Sequence, residues 1–206
     1  PEDLTADIQD IIGKMDFKVQ YEEGYNLVFQ GRCEEGLEKL MYALCMFVES
    51  TMEFANSPKE KEIIYVGRIE YNQKRTDRVI EIWKELEQLY PDWKLTIVGD
   101  GDDREDLQKR IQEYGLKRVE ITGFVDPIRY YKRASILLLT SEYEGFGLVT
   151  AEAMSHGVVP VVYNSFETAK DLITDGYNGV LVEKPFSVSV FVKRTQELME
   201  NTDLHV

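Results

Sequence analysis

Apolar residues follow two different periods along this chain. From residue 59 onward, short apolar runs predict six strands: Glu62–Arg68, Lys94–Val98, Val119–Thr122, Ser135–Thr140, Val159–Tyr163 and Gly179–Val182. The run Ile136, Leu137, Leu138, Leu139 has no polar alternation, so its strand is expected to be buried on both faces. Between the strands the period lengthens to that of a helix. Val79, Ile80, Trp83, Leu86 and Leu89 share one face, and Leu107, Ile111 and Tyr114 share another that Gly115 stops. Asp126 and Pro127 open a short helix with a capping side chain and a proline at its first position. Further helices are expected over Gly147–His156, ended by Gly157, over Phe166–Thr174, and from Ser187 to about Asn201. Strand–helix alternation around apolar strands means an α/β fold, a doubly wound parallel sheet of Rossmann-like type, with strand order 3-2-1-4-5-6.

Residues 1–58 read differently. Leu4, Ile8, Ile11 and Ile12 recur at helical spacing. Phe17, Val19 and Tyr21, then Tyr25, Leu27 and Phe29, alternate around Glu22, Glu23 and Gly24 as a hairpin would. Leu37, Leu40, Met41, Leu44, Phe47 and Val48 form a second amphipathic face. This predicts a small α+β appendage, a helix, hairpin and helix that carry no recognisable chemistry. The break falls near Ser57 and Pro58, before the charged run Lys59, Glu60, Lys61, Glu62.

Composition narrows the classes of function. With 43% hydrophobic and 30% charged residues the chain is an ordinary globular protein. Its formal net charge of −14 excludes nucleic acid as a partner, since phosphate backbones need a broad positive surface. The two cysteines, Cys33 and Cys45, lack zinc-ligand spacing and read as buried thiols in a reducing compartment, with a single disulfide between them as the alternative. The only histidines are His156 and His205, His156 being structural beside Gly157, and no metal-ligand cluster is visible. The longest apolar run, Leu40–Val48, is too short to span a bilayer, and no signal peptide opens the chain, so a cytoplasmic location is expected. Pro1 in place of methionine suggests a processed or excised piece.

In the expected order, the first and fourth strands meet at the topological switch point, outside whose carboxyl ends ligands bind. The first strand ends in Gly67 and Arg68 and leads to Lys74 and Arg75. The fourth leads through Thr140, Ser141, Glu142, Tyr143, Glu144, Gly145, Phe146 and Gly147 into a helix. Basic side chains therefore face a glycine-flanked helix N-terminus, whose amides and dipole favour an anion such as a diphosphate. Glu144 would border the far end of that diphosphate, and Glu152 would offer a carboxylate to vicinal ribose hydroxyls. Gly99-Asp100-Gly101 and Gly123-Phe124-Val125, at neighbouring strand ends, are placed to line a base. Gly99-Asp100-Gly101 is no dinucleotide fingerprint, because it lacks a third glycine and follows the second strand.

Three segments carry a resemblance. Val66-Gly67-Arg68 with Lys74, the stretch from Glu144 through Gly145, Phe146, Gly147 and Leu148 to Glu152-Ala153-Met154, and the stretch Asp171–Gly179 resemble the family-4 retaining glycosyltransferases of GT-B fold. The match covers about residues 62–199, nearly all of that family's C-terminal, donor-binding domain. It implies that Arg68 and Lys74 grip a donor diphosphate, with Glu144, Arg68 and Lys74 as catalytic residues. Glu144 would meet sugar hydroxyls and Glu152 the ribose, while Gly67, Phe124, Val125, Gly145, Phe146, Gly147 and Leu148 complete the donor site. Arg75 departs from the family's usual glycine, and Asp171 from its usual glutamate. The implied donor is a UDP- or GDP-linked sugar, a substrate rather than a cofactor, handled without a metal. The setting implied is polysaccharide or glycoconjugate biosynthesis. An acceptor domain needs on the order of 150 further residues, so residues 1–58 are too few, and a missing domain or partner chain is expected. Any membrane association would then be peripheral, at the cytoplasmic face, through that other half. The rival reading is a donor-binding or scaffolding subunit that transfers sugar only with a partner chain.

Overall fold

In a computed structural model of the protein, the structure describes residues 58–200. The chain divides into two units, Pro1–Ala55 and Asn56–Val206. The helix, hairpin and helix expected before residue 58, together with Cys33, Cys45 and His205, lie outside the described residues.

Twelve elements alternate strictly among the described residues. They are β1 (Glu62–Val66), α1 (Thr76–Leu89), β2 (Lys94–Val98), α2 (Arg104–Glu113), β3 (Val119–Gly123), α3 (Ile128–Arg133), β4 (Ile136–Leu139), α4 (Leu148–Ser155), β5 (Val159–Tyr163), α5 (Ala169–Leu172), β6 (Val180–Val182) and α6 (Val188–Glu200). The strands form one parallel sheet in the order β3-β2-β1-β4-β5-β6. Every residue of β4 and β5 is buried, as their unbroken apolar runs require.

The pleat sends alternate residues of β1 to opposite faces. Ile63 and Tyr65 join Leu95, Ile97 and Leu138 in a cluster with Val79, Ile80, Ile82, Trp83 and Leu86 of α1 and Phe191 and Val192 of α6. Ile64 goes the other way, to Val98, Leu137, Tyr130, Tyr131 of α3 and Ala153 of α4. Leu89, expected on the buried face of α1, is 58% exposed because the helix ends there, past its contact with the sheet.

Two helix ends follow their glycines. Gly157 adopts a left-handed φ of 70°, and the amides of Gly157 and Val158 donate to the carbonyls of Met154 and Ala153, a Schellman closure of α4. Gly115 closes α2 likewise, its amide on Gln112 and that of Leu116 on Ile111.

Most boundaries fall within one residue of expectation, and two elements depart further. Strand β1 ends at Val66 rather than Arg68. The helix expected over Phe166–Thr174 shrinks to the four residues of α5. There the Asn178 side chain takes over the helix end: its amide donates to Leu172 O at 3.1 Å and its Oδ1 accepts from Thr174 N at 2.8 Å. Asp175 Oδ1 accepts from Leu181 N at 3.0 Å and pairs with Arg194. In Asp171–Gly179, then, Asp175 and Asn178 build a loop, and Asp171 is exposed on α5.

Candidate functional site

At the carboxyl end of β1 the chain stays close to β2. Gly67 N donates to Val98 O at 3.0 Å and Ile69 N to Asp100 O at 2.9 Å, extending the ladder beyond the strands. A Cβ at Gly99 would stand 1.9 Å from Gly67 O, and one at Gly101 2.2 Å from Ile69 O. These glycines therefore admit the neighbouring backbone.

The loop after β1 is tied internally and then to the loop after β4. Tyr65 OH donates to Arg68 O at 2.8 Å, and Glu70 Oε1 accepts from Lys74 N at 2.6 Å and from Gln73 N. Burial works against the Glu70 carboxylate, yet these amide bonds hold it below its ordinary range. Across the crevice, Glu142 N donates to Gln73 O at 2.7 Å, Gln73 Nε2 to Tyr143 O at 3.2 Å, and Thr140 Oγ1 to Arg75 O at 3.0 Å. Arg78 donates to Thr140 O at 3.1 Å and pairs with Glu142 at 2.7 Å. These bonds fix the relative position of the two loops that carry the candidate residues.

Arg75 occupies a left-handed conformation, φ 52° and ψ 46°. A glycine would sit there freely, whereas another residue costs about 1–2 kcal/mol. That is a physical reason for the glycine of the resemblance. The Arg75 guanidinium is engaged by Asp77, at 3.0 and 2.8 Å, and lies 3.8 Å from Glu142, so it is spoken for by its own loops.

Lys74 and Glu144 are in direct contact. The Lys74 ammonium lies 2.8 Å from both carboxylate oxygens of Glu144, and Glu144 Oε1 also accepts from Ser141 Oγ at 2.6 Å. Ser165 Oγ in turn holds Ser141 O at 2.6 Å. Arg68, two residues beyond the end of β1, is exposed and makes no side-chain hydrogen bond or ion pair with a described residue. Its charge favours the ionised form of the nearby Glu70.

The loop from Gly145 to Leu148 enters α4. A Cβ at Gly145 would meet nothing within 4 Å, so this backbone is open to a ligand. Gly147 has a different reason: its φ is 79°, and a Cβ there would press on the Phe166 ring at 3.0 Å. Phe146 O accepts from Thr168 Oγ1 at 3.1 Å, and Leu148 is the half-buried first residue of α4. Phe124 is 94% exposed just beyond β3, while Val125 packs with Val66 and Val149 against the core.

Glu152, one turn into α4, accepts from Tyr131 OH at 2.9 Å. Burial pushes its carboxyl above the usual range, and the tyrosine bond partly offsets this. His156 is 1% exposed, stacks on Tyr131 and places Nδ1 2.9 Å from Glu152 O, the structural role expected of it. Tyr131, Ser141 and Glu70 escaped the sequence reading. Ser141 had a signal in its closeness to Glu144; Tyr131 and Glu70 had none.

Among the described residues no group of three or more His, Cys, Asp or Glu could hold a metal ion, and no helix is long and apolar enough to cross a membrane. A cavity of about 510 Å³ lies at the opposite end of the sheet, by Lys61, Lys94 and Val119 where β1 to β3 begin. Its charges are largely satisfied by one another, Lys61 with Asp92 and Lys94 with Glu60.

The sheet order and its flanking helices define a Rossmann-like domain, and the solved structures that match it are GT-B glycosyltransferases. The chain belongs to the family of glycosyl transferases group 1, whose pattern spans residues 48–206. It is similar to the amylovoran biosynthesis glycosyltransferase AmsD of Erwinia amylovora, 29% identical over 150 residues, 71% of this chain and 40% of that protein. The C-terminal domain of LpcC, a group 1 family protein of Francisella tularensis, matches with a TM-score of 0.63 at 26% identity, covering 74% of this chain and 82% of that one. A mutant TarM of S. aureus, in complex with fondaparinux, alpha-GlcNAc-glycerol and UDP, matches with a TM-score of 0.66 at 28% identity, over 71% and 30% of the respective chains. This chain spans 42% and 40% of the first two curated relatives it matches.

Proposed function

We propose that residues 59–206 form the donor-binding half of a retaining, metal-independent glycosyltransferase. It would move a sugar from a UDP- or GDP-linked donor to a glycan, lipid or other acceptor in polysaccharide or glycoconjugate biosynthesis. The observation that carries this is the Lys74–Glu144 contact at the switch point, beside the unpaired Arg68. Lys74 and Arg68 take the diphosphate, with the amides that open α4. Glu144, steadied by Ser141, meets the hydroxyls of the sugar. Glu152 takes the ribose, and Phe124 and Val125 border the base. Family membership and the UDP held by the related TarM support this assignment.

The chemistry needed from these groups is electrostatic. As the bond between the anomeric carbon and the donor oxygen breaks, the electron pair leaves on the diphosphate. Arg68 and Lys74 neutralise that charge where another enzyme would place a metal. In same-face transfer the acceptor oxygen bonds to the anomeric carbon, and its proton passes to the departing phosphate. The acceptor wall and the exclusion of water come from a further domain or a partner chain.

Calorimetry with UDP and GDP, with and without EDTA, tests the reading. Binding that persists in EDTA and weakens with salt is expected; binding that requires a divalent ion removes the metal-free mechanism, and no binding of either nucleotide removes the donor site. A transfer assay with the parent protein separates an enzyme from a scaffolding subunit.

A further inference from the structure

We propose that Tyr131 is a positioning residue for donor recognition, its buried hydroxyl fixing the Glu152 carboxylate for the ribose. The inference rests on the assignment of Glu152 to the donor ribose. Tyr131 is 1% exposed, and its hydroxyl donates to Glu152 Oε2 at 2.9 Å. A buried hydroxyl without a partner is costly, so the bond holds both groups in place. The other carboxylate oxygen, Oε1, has no partner among the described residues and stays available to a ligand.

The surroundings make this bond a tertiary lock between two helices. Tyr131 lies on α3, and Glu152 and His156 lie on and just after α4. The rings of Tyr131 and His156 stack with centroids 5.5 Å apart and planes at 28°. His156 Nδ1 reaches back to Glu152 O at 2.9 Å, so three residues close a loop of contacts. Lys59 clamps the same two helix ends, donating to Tyr131 O at 3.0 Å and to His156 O. Cations are favoured at such carbonyl-rich termini. Burial alone would disfavour an ionised Glu152, and the phenol is the hydrogen-bond donor that works against it. A free glutamate in the middle of a short helix would sample several rotamers; this one is tethered.

The test separates positioning from packing. Wild type, Tyr131→Phe, Glu152→Ala and the double variant are titrated calorimetrically with whichever of UDP and GDP binds, and with its 2′-deoxy form. Phenylalanine keeps the ring that stacks on His156. Wild type should prefer the ribonucleotide by about tenfold or more, the size of a hydrogen bond to a charged group. Tyr131→Phe should cut that preference about three- to tenfold while leaving affinity for the 2′-deoxy nucleotide unchanged. On the Glu152→Ala background it should have no further effect. Equal weakening toward both nucleotides, or an unchanged ribose preference, overturns the proposal. Should Tyr131→Phe fold poorly, recovery of its melting temperature in the double variant shows the same coupling, and no recovery overturns it. If wild type binds both nucleotides equally well, the assignment of Glu152 to the ribose has failed, and this proposal with it.

Discussion

Replacing Glu144 by glutamine should tighten the binding of a bare nucleoside diphosphate. The Glu144 carboxylate neutralises Lys74 through two contacts of 2.8 Å, and the two side chains are only 10% and 22% exposed. Phosphate oxygens reaching Nζ from its other side would lie about 5.5 Å from the carboxylate, two hydrogen-bond lengths. Unit charges at that separation repel by about 3 kcal/mol at an effective dielectric near ~20, and by about 0.8 kcal/mol in bulk water. For this partly exposed pair we expect about 1.4 kcal/mol, a tenfold gain in affinity. Glutamine still accepts from Ser141 and Lys74, so the loop should keep its shape. Calorimetry at two ionic strengths reads the effect, which should shrink with salt because it is Coulombic. On the proposed role of Glu144 at the sugar hydroxyls, the sugar nucleotide should gain less than the bare nucleotide, because glutamine is an uncharged acceptor. Equal or weaker binding of the bare nucleotide by Glu144→Gln would refute the reasoning, showing that Lys74 does not hold the diphosphate beside this carboxylate.

Glu152→Gln should stabilise the fold near neutral pH. The folded carboxyl titrates above its unfolded value, so between the two values the folded state keeps a proton that the unfolded chain has lost, and stability falls as pH rises through that window. The melting temperature of the glutamine variant should therefore exceed wild type at about pH 8 and converge with it near about pH 4; a gap that stays constant or widens in acid contradicts the assignment. Gly99→Ala should destabilise by about 2 kcal/mol or more in urea unfolding, since its Cβ would meet Gly67 O at 1.9 Å. Gly145→Ala, with nothing within 4 Å, should leave stability near wild type and instead weaken nucleotide binding; the opposite ranking of the two would mean their roles are exchanged.

What was legible in the sequence divides along a physical line. Periodicity reports which positions are dry, so β2 and β5, flanked by polar or glycine breaks, were found with their observed bounds. The sheet order followed from alternation and handedness, and it placed Lys74 and Glu144 at one crevice although 70 residues separate them. Their direct ion pair was not legible, because periodicity says nothing about which way a loop side chain turns. Helix α5 is shorter than its pattern predicts for a similar reason: the apolar pattern continues to Ile173, but the Asn178 side chain competes for the backbone groups of the last turn. In the sequence Arg75 is visible only as a departure from the family's usual glycine. Only the backbone shows a left-handed position where glycine would be at ease and arginine is held by Asp77 and Glu142. Tyr131 is the extreme case. In the sequence it is one of two adjacent aromatics on a short helix, and both are buried, so pattern alone reads packing for each. The fold then separates them. Tyr130 OH accepts from Arg129 Nη2, a neighbour in sequence, whereas Tyr131 OH turns to Glu152, twenty-one residues away on another helix. Burial was written in the composition of that helix; the direction of the hydroxyl depended on where α4 set its glutamate, and that is information only the assembled sheet contains.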